Sequence, residues 1–133
     1  LEKIEMSATC PFCMLNDKKR IVLEDEIVLA LRDQFPISPG HTLIIPKRHV
    51  SSFFETSELE QMALLRALHL TQAELKHNYH ADGFNIGIND GVVAGQTVMH
   101  LHIHLIPRYR GDCADPRGGI RWLFPDKAVY WKK

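Results

Sequence analysis

Nowhere does this chain hold the unbroken stretch of about 18 apolar residues that a membrane helix needs. Its first ten residues, LEKIEMSATC, also lack the apolar core of a secretory leader. The expectation is a soluble, cytoplasmic protein with no membrane partner. Cysteine is scarce: Cys10, Cys13 and Cys113 are too few, and odd in number, for a disulfide framework. They read as reduced thiols or metal ligands. Neither charge is in excess, 16 basic residues balancing 16 acidic ones, which argues against a nucleic-acid partner while leaving room for a local basic patch on a phosphate. Also missing are internal repeats, a Walker loop, a Gly-x-Gly-x-x-Gly fingerprint and a Gly-x-Ser-x-Gly elbow. Their absence removes the sequence grounds for a P-loop, dinucleotide-fold or α/β-hydrolase reading.

What is present is ordinary globular material. The chain has 133 residues, 45% apolar and 24% charged, enough for one core and one domain spanning 1–133. RIVLEDEIVLALRD reads as two strands around a polar turn, and HTLIIP as a third strand that ends at Pro46. Ser57 followed by Glu60 forms a capping box, and no Gly or Pro occurs from there to Tyr79, so a helix of about 22 residues is predicted. Leu59, Met62, Ala63, Leu65 and Leu68 are expected on its buried side, with Glu60, Arg66 and Glu74 in solvent. FNIGIN alternates as a strand, DGVVAG is a loop, and QTVMHLHIHLIPRYR follows as the second arm of a hairpin-like pair. Strands outnumber helices and the connections are short, so the fold class is α+β with antiparallel pairing. The tail, 111–133, is broken by Gly and Pro, yet Trp122, Phe124, Tyr130 and Trp131 are too apolar to hang in water. It is expected to pack on the body or on a second subunit.

His100, His102 and His104 stand at alternate positions. In a strand they share a face, with Leu101, Ile103 and Leu105 turned to the helix. The outer two rings start about 13 Å apart at ~3.3 Å per residue, too far for one ion to be held by all three without strain. Three polar rings on one face would need partners for six nitrogens if buried without a function, whereas neutral imidazole attacks electrophiles and moves protons near neutral pH. Gly91 and Gly95 bracket a loop that can approach a ligand. Gln96 and Thr97 add an amide and a hydroxyl, and Arg108 and Arg110 follow. Neutral donors, cations and a nucleophilic ring suit phosphoryl or nucleotidyl transfer.

The run HLHIHLI resembles the signature of the histidine triad (HIT) superfamily at every position. NDGVVAGQTV before it and PRYRGD after it resemble the flanks of the branch that cleaves diadenosine polyphosphates. ALRDQFPISPGHTLIIPKRHV is similar to the family's strand, turn and strand region. The resemblance covers about 10–110. It implies a HIT-like antiparallel sheet of about five strands with one long helix and a shorter one, paired as a homodimer. It further implies cleavage of the α-phosphate linkage of a dinucleoside polyphosphate or related conjugate through a nucleotidyl-histidine intermediate. By resemblance His102 is the nucleophile, and His104, Thr97 and Gln96 meet the phosphate or leaving group. Asp33 reaches the ribose and Asn89 the nucleotide, with His41 and Gly95 close by. A sister branch acts on purine nucleoside phosphoramidates and aminoacyl-adenylates, and a zinc-stabilised nucleotide-binding module with little catalysis is the reading from another class.

CPFC admits a redox dithiol, two unrelated cysteines, or half of a tetrahedral zinc site. Related HIT proteins that begin with such a pair also carry PKRH, and the resemblance implies structural Zn2+ on Cys10, Cys13, His49 and His100. Cys113 receives no role. His69, His77 and His80 fall on or just past the helix, where solvation or the negative helix end accounts for them.

Overall fold

The computed structural model describes residues 7–132; the first six residues, part of the stretch read above as no leader, lie outside it. Five strands form one antiparallel sheet in the order β1-β2-β3-β5-β4. They are β1 (Ile21–Glu24), β2 (Val28–Arg32), β3 (Thr42–Pro46), β4 (Gly83–Ile88) and β5 (Ile103–Arg108). The long helix α1 (Glu58–Tyr79) lies between β3 and β4 in sequence and packs over β2 and β3, and a single turn, α2 (Pro125–Ala128), closes the tail. The α+β layout, the five strands and both helices agree with the sequence reading. Among the described residues no helix is long and apolar enough to cross a membrane.

Local chemistry sets the bounds of α1. Ser57 Oγ accepts from Glu60 N, Glu60 Oε1 accepts from Ser57 N, and His80 ends the helix in the left-handed region; such a cap contributes about 1 kcal/mol. The buried face differs from the expected one. Leu64, Ala67, Thr71 and Leu75 meet the sheet, Ala63 and Leu68 are half-buried, and Leu59, Met62 and Leu65 are 64%, 68% and 59% exposed. The helix carries two apolar stripes, and the sheet takes the one whose small Ala67 and Thr71 allow close approach. Glu60 is buried as well, because its carboxylate accepts two hydrogen bonds from Arg48, at 2.8 and 3.0 Å, besides capping the helix. That guanidinium holds the Glu60 carboxyl below its usual range.

The two sheet faces have different cover. Val28, Ala30, Ile44 and Ile103 face α1 and form the main core with Leu64, Ala67 and Leu101. On the opposite face Leu29, Leu31, Leu43 and Ile45 are covered by Phe12 and Leu15 of the N-terminal segment. That cover stops short of β5 and β4, which form the floor of an open cavity. The histidine run is not wholly strand: β5 begins at Ile103, and before it the chain bends through His100 and runs without regular structure to His102, tied to the body by Leu101 N donating to Val50 O.

Candidate active site and metal centre

A cavity of about 1190 Å³ opens over β3, β5 and β4, above the ~300–1,000 Å³ typical of single-ligand clefts. His102, His104, Asp33, His41, Asn89, Gly95 and Thr97 all line it. Gln96 does not. Its Oε1 accepts from Gly91 N, and its Nε2 donates to Ser51 O and Val98 O. Both amide protons are thus committed to the backbone, and Gln96 braces the 91–98 loop where a phosphate donor was expected. Of the two expected cations, Arg108 lines the cavity but is already engaged, and Arg110 is not in the lining. Arg108 grips Asp112 through two bonds of 2.8 Å and Asn85 through one of 2.7 Å, four residues beyond His104, and Arg110 is exposed.

Hydrogen bonds fix the protons on the rings, because a carbonyl oxygen only accepts and a peptide N–H only donates. His102 Nδ1 lies 2.8 Å from the carbonyl oxygen of His100. It therefore carries the proton, and the lone pair is on Nε2. Ile37 N donates to His41 Nδ1 at 3.2 Å, so a neutral His41 has its proton on Nε2, which stands 3.0 Å from His104 Nδ1 and 3.4 Å from Asp33 Oδ2. His104 Nδ1 is then an acceptor and its Nε2–H a donor. Burial lowers the pKa of His41 and brings His104 down to about 4, with His102 and His41 adding to the effect on His104. At neutral pH His104 is an uncharged donor beside the His102 ring.

Asp33, His41 and His104 are close enough to suggest a cation site. The Ile37 amide argues against it: a metal on His41 Nε2 would need Nδ1 protonated, and Nδ1 already accepts. His41 reaches its place because Gly40, at φ 85°, turns the chain beneath α1, where an added Cβ would lie 2.7 Å from Leu75 Cδ2.

The second cluster is of another kind. Cys10 Sγ and Cys13 Sγ each lie 3.5 Å from His100 Nδ1, Cys13 Sγ is 3.3 Å from His49 Nδ1, and the two Nδ1 atoms are 3.2 Å apart. Tetrahedral ligands on one zinc ion, at ~2.3 Å for sulfur and ~2.05 Å for nitrogen, would be separated by roughly 3.6 Å (S···N) and 3.3 Å (N···N). The donor set fits such an ion. His100 Nε2 donates to Pro46 O at 2.7 Å, which leaves the Nδ1 lone pair aimed at the cluster. Burial pushes the Cys13 thiol up and the His100 ring down. The four residues named from the sequence come together here.

A family model for the HIT domain matches residues 15–111. The chain belongs to the HIT family. It is 42% identical to an uncharacterized HIT-like protein of Methanocaldococcus jannaschii over 77% of this chain and 81% of that protein. The asymmetrical bis(5'-nucleosyl)-tetraphosphatase of Schizosaccharomyces pombe is 41% identical over 60% of this chain and 44% of that protein. A solved structure, a zinc-bound histidine triad family protein from Mycobacterium smegmatis, superposes with a TM-score of 0.73 at 35% identity, covering 80% of each chain.

Three features of this HIT site escaped the sequence. Gly87 pairs with His104 across β4 and leaves the floor bare beside it, and a residue without a side chain gives no chemical signal. Phe12 stands edge-on to His100 and His102 at 5.8 and 5.1 Å; between two cysteines it carried no signal of its own. Ile120, Trp122 and Leu123 of the tail also line the cavity, where the excess of apolar residues was visible but its destination was not.

Proposed function

We propose that the protein cleaves the α-phosphate linkage of dinucleoside polyphosphates, or related nucleotide conjugates, through a covalent nucleotidyl-His102 intermediate. The observation that carries this reading is the bond from His102 Nδ1–H to the His100 carbonyl, which leaves Nε2 basic and faces the cavity with it. Attack by Nε2 forms a P–N bond as the bridging P–O bond breaks, and the leaving phosphate departs as an anion. The ring keeps its Nδ1 proton and becomes cationic, a charge the accepting carbonyl stabilises and one that weakens the P–N bond. Water then attacks phosphorus, the P–N electrons return to Nε2, the surplus proton passes to solvent, and a nucleoside monophosphate is released. His104 Nε2–H would donate to a non-bridging oxygen and Thr97 to the leaving side, while Asp33 Oδ2 takes a ribose hydroxyl and Asn89 the nucleotide. Diadenosine tetraphosphate mixed with the protein and quenched without acid should give a one-AMP adduct by intact mass, absent in His102→Ala. Neither adduct nor AMP would refute the reading.

The same reading takes the Cys10, Cys13, His49 and His100 cluster as a structural zinc site. Thiolate ligands suit a reducing, cytoplasmic compartment. It also takes the working form as a homodimer. Leu59, Met62 and Leu65 on α1 and Ile86 (49% exposed) on β4 are uncovered, and among the described residues β4 pairs with β5 alone. A second copy would cover that stripe and flank the open edge. Met62→Glu should shift the sedimenting species from dimer to monomer, and a wild type that sediments as a monomer at micromolar concentration would end this part.

A further inference from the structure

His104 lies mid-floor, paired with Leu43 of β3 on one side and Gly87 of β4 on the other. A phosphate seated on His102 and His104 therefore divides the cavity. The half over β3, walled by Phe12, Asp33 and Leu43, suits the nucleoside that stays on the enzyme. The half over β4 is walled by Ile120, Trp122 and Leu123, which lie beyond the segment that defines the family, 15–111.

That wall is a built element. Gly118 and Gly119 turn the chain at φ 93° and 45°, and a Cβ at Gly119 would stand 3.3 Å from Asn85 Nδ2, so the turn rests on the cavity floor. Arg121 donates to Lys127 O at 2.6 Å and lies over the Tyr130 ring at 4.7 Å. Arg117 lies over Trp131 at 4.5 Å, and Trp122 Nε1 donates to Arg117 O at 2.9 Å. These bonds hold Ile120 and Leu123 on the cavity side although they are 65% and 69% exposed, an uncovered apolar surface on a braced support. Beside it, Asn85 Oδ1 accepts from Arg108, which sets the amide, and its Nδ2 meets no acceptor among the described residues.

We propose that the β4 half is a leaving-group subsite for a second nucleotide, whose planar base lies on Ile120, Trp122 and Leu123 and whose acceptor atoms meet Asn85 Nδ2. This rests on the nucleotidyl-transfer reading above and narrows it. A small leaving group such as ammonia cannot reach the wall, so binding energy there favours dinucleoside polyphosphates over mononucleotide conjugates in kcat/KM.

The test compares wild type with Ile120→Ala/Leu123→Ala on diadenosine tetraphosphate and on adenosine 5′-phosphoramidate, with melting temperature as the folding check. Truncating two exposed side chains should leave the melting temperature in place. The kcat/KM for diadenosine tetraphosphate should fall roughly tenfold, the scale of losing two apolar contacts, while that for the phosphoramidate stays within about twofold. Ile120→Asp, which puts a charge on the same surface, should deepen the selective loss. An unchanged ratio of the two substrates, or equal falls on both, overturns the subsite. A wild type that cleaves the phosphoramidate and not the tetraphosphate also overturns it while leaving His102 chemistry intact. A wild type that cleaves neither and forms no adduct sinks the parent reading and the subsite together.

Discussion

His102→Ala should lower turnover by roughly a thousandfold or more while leaving nucleotide affinity within a few-fold. The asymmetry follows from where the contacts are. In the proposed reaction the bond-forming atom is one ring nitrogen, and its removal takes away the covalent route that splits one hard substitution into two easier ones. The groups proposed to bind the nucleotide are spread over Asp33, Asn89, Thr97 and His104, none of which His102 holds in place by a hydrogen bond. The His102 ring is 9% exposed and packs edge-on to Phe12 and His104, each at 5.1 Å, so the truncation also leaves a void. His102→Gln, which fills more of it, separates the two effects: it should recover stability without recovering turnover. Stopped-flow cleavage of diadenosine tetraphosphate alongside calorimetric binding of AMP makes the measurement. Turnover within tenfold of wild type in both variants would remove the nucleophile assignment.

Cys10→Ser combined with Cys13→Ser should cost the protein its zinc and about 10 °C or more of melting temperature, together. Two thiols converge on the same His100 nitrogen, and the segment that carries them, with Phe12 and Leu15, covers the Leu29, Leu31, Leu43 and Ile45 cluster. Freed from the cluster, that cover is held by packing alone. A loss of about 3 kcal/mol would shift a domain of this size by roughly 10 °C. Metal content by atomic emission and a thermal melt on the same sample decide it. Wild-type protein that is fully stable and free of metal would end the zinc assignment. Chelation should act in the same direction and lower stability before it touches the chemistry, since none of the four ligands is assigned to the phosphate.

The parts of this structure that were legible beforehand are those written in local chemistry. The cap at Ser57 and the strand at Thr42–Pro46 announce themselves within a few residues of sequence. The triad was legible for the same reason, since a period of two in polar rings has few structural uses. The buried face of α1 was not. Leu59 and Met62 outweigh Ala67 and Thr71 on any hydrophobic count, and only the sheet's shape decides between them. Glu60 went underground because Arg48, twelve residues earlier, met it there, a partnership that no spacing encodes. His49 entered the metal set through resemblance to relatives. Its distance in sequence from Cys13 carries no signal, while its 3.3 Å in space does. Gln96 was named for its donors, correctly as chemistry and wrongly as geometry, because the Ser51 and Val98 carbonyls had claimed both.

Phe12 occupies the two-residue gap between Cys10 and Cys13, and its ring edge rests on His102. With zinc on Cys10 and Cys13 the segment would be pinned at both ends and would hold that ring as a wedge holds a door, so the torsion angles of His102 would be set from the far side of the ligand cluster. The ion would stay out of the proposed reaction and still bear on its rate, through how often the attacking nitrogen faces phosphorus. On this reading metal occupancy is a matter of aim as well as of stability, and its loss would widen the spread of ring orientations in a protein whose chemical groups are all still present.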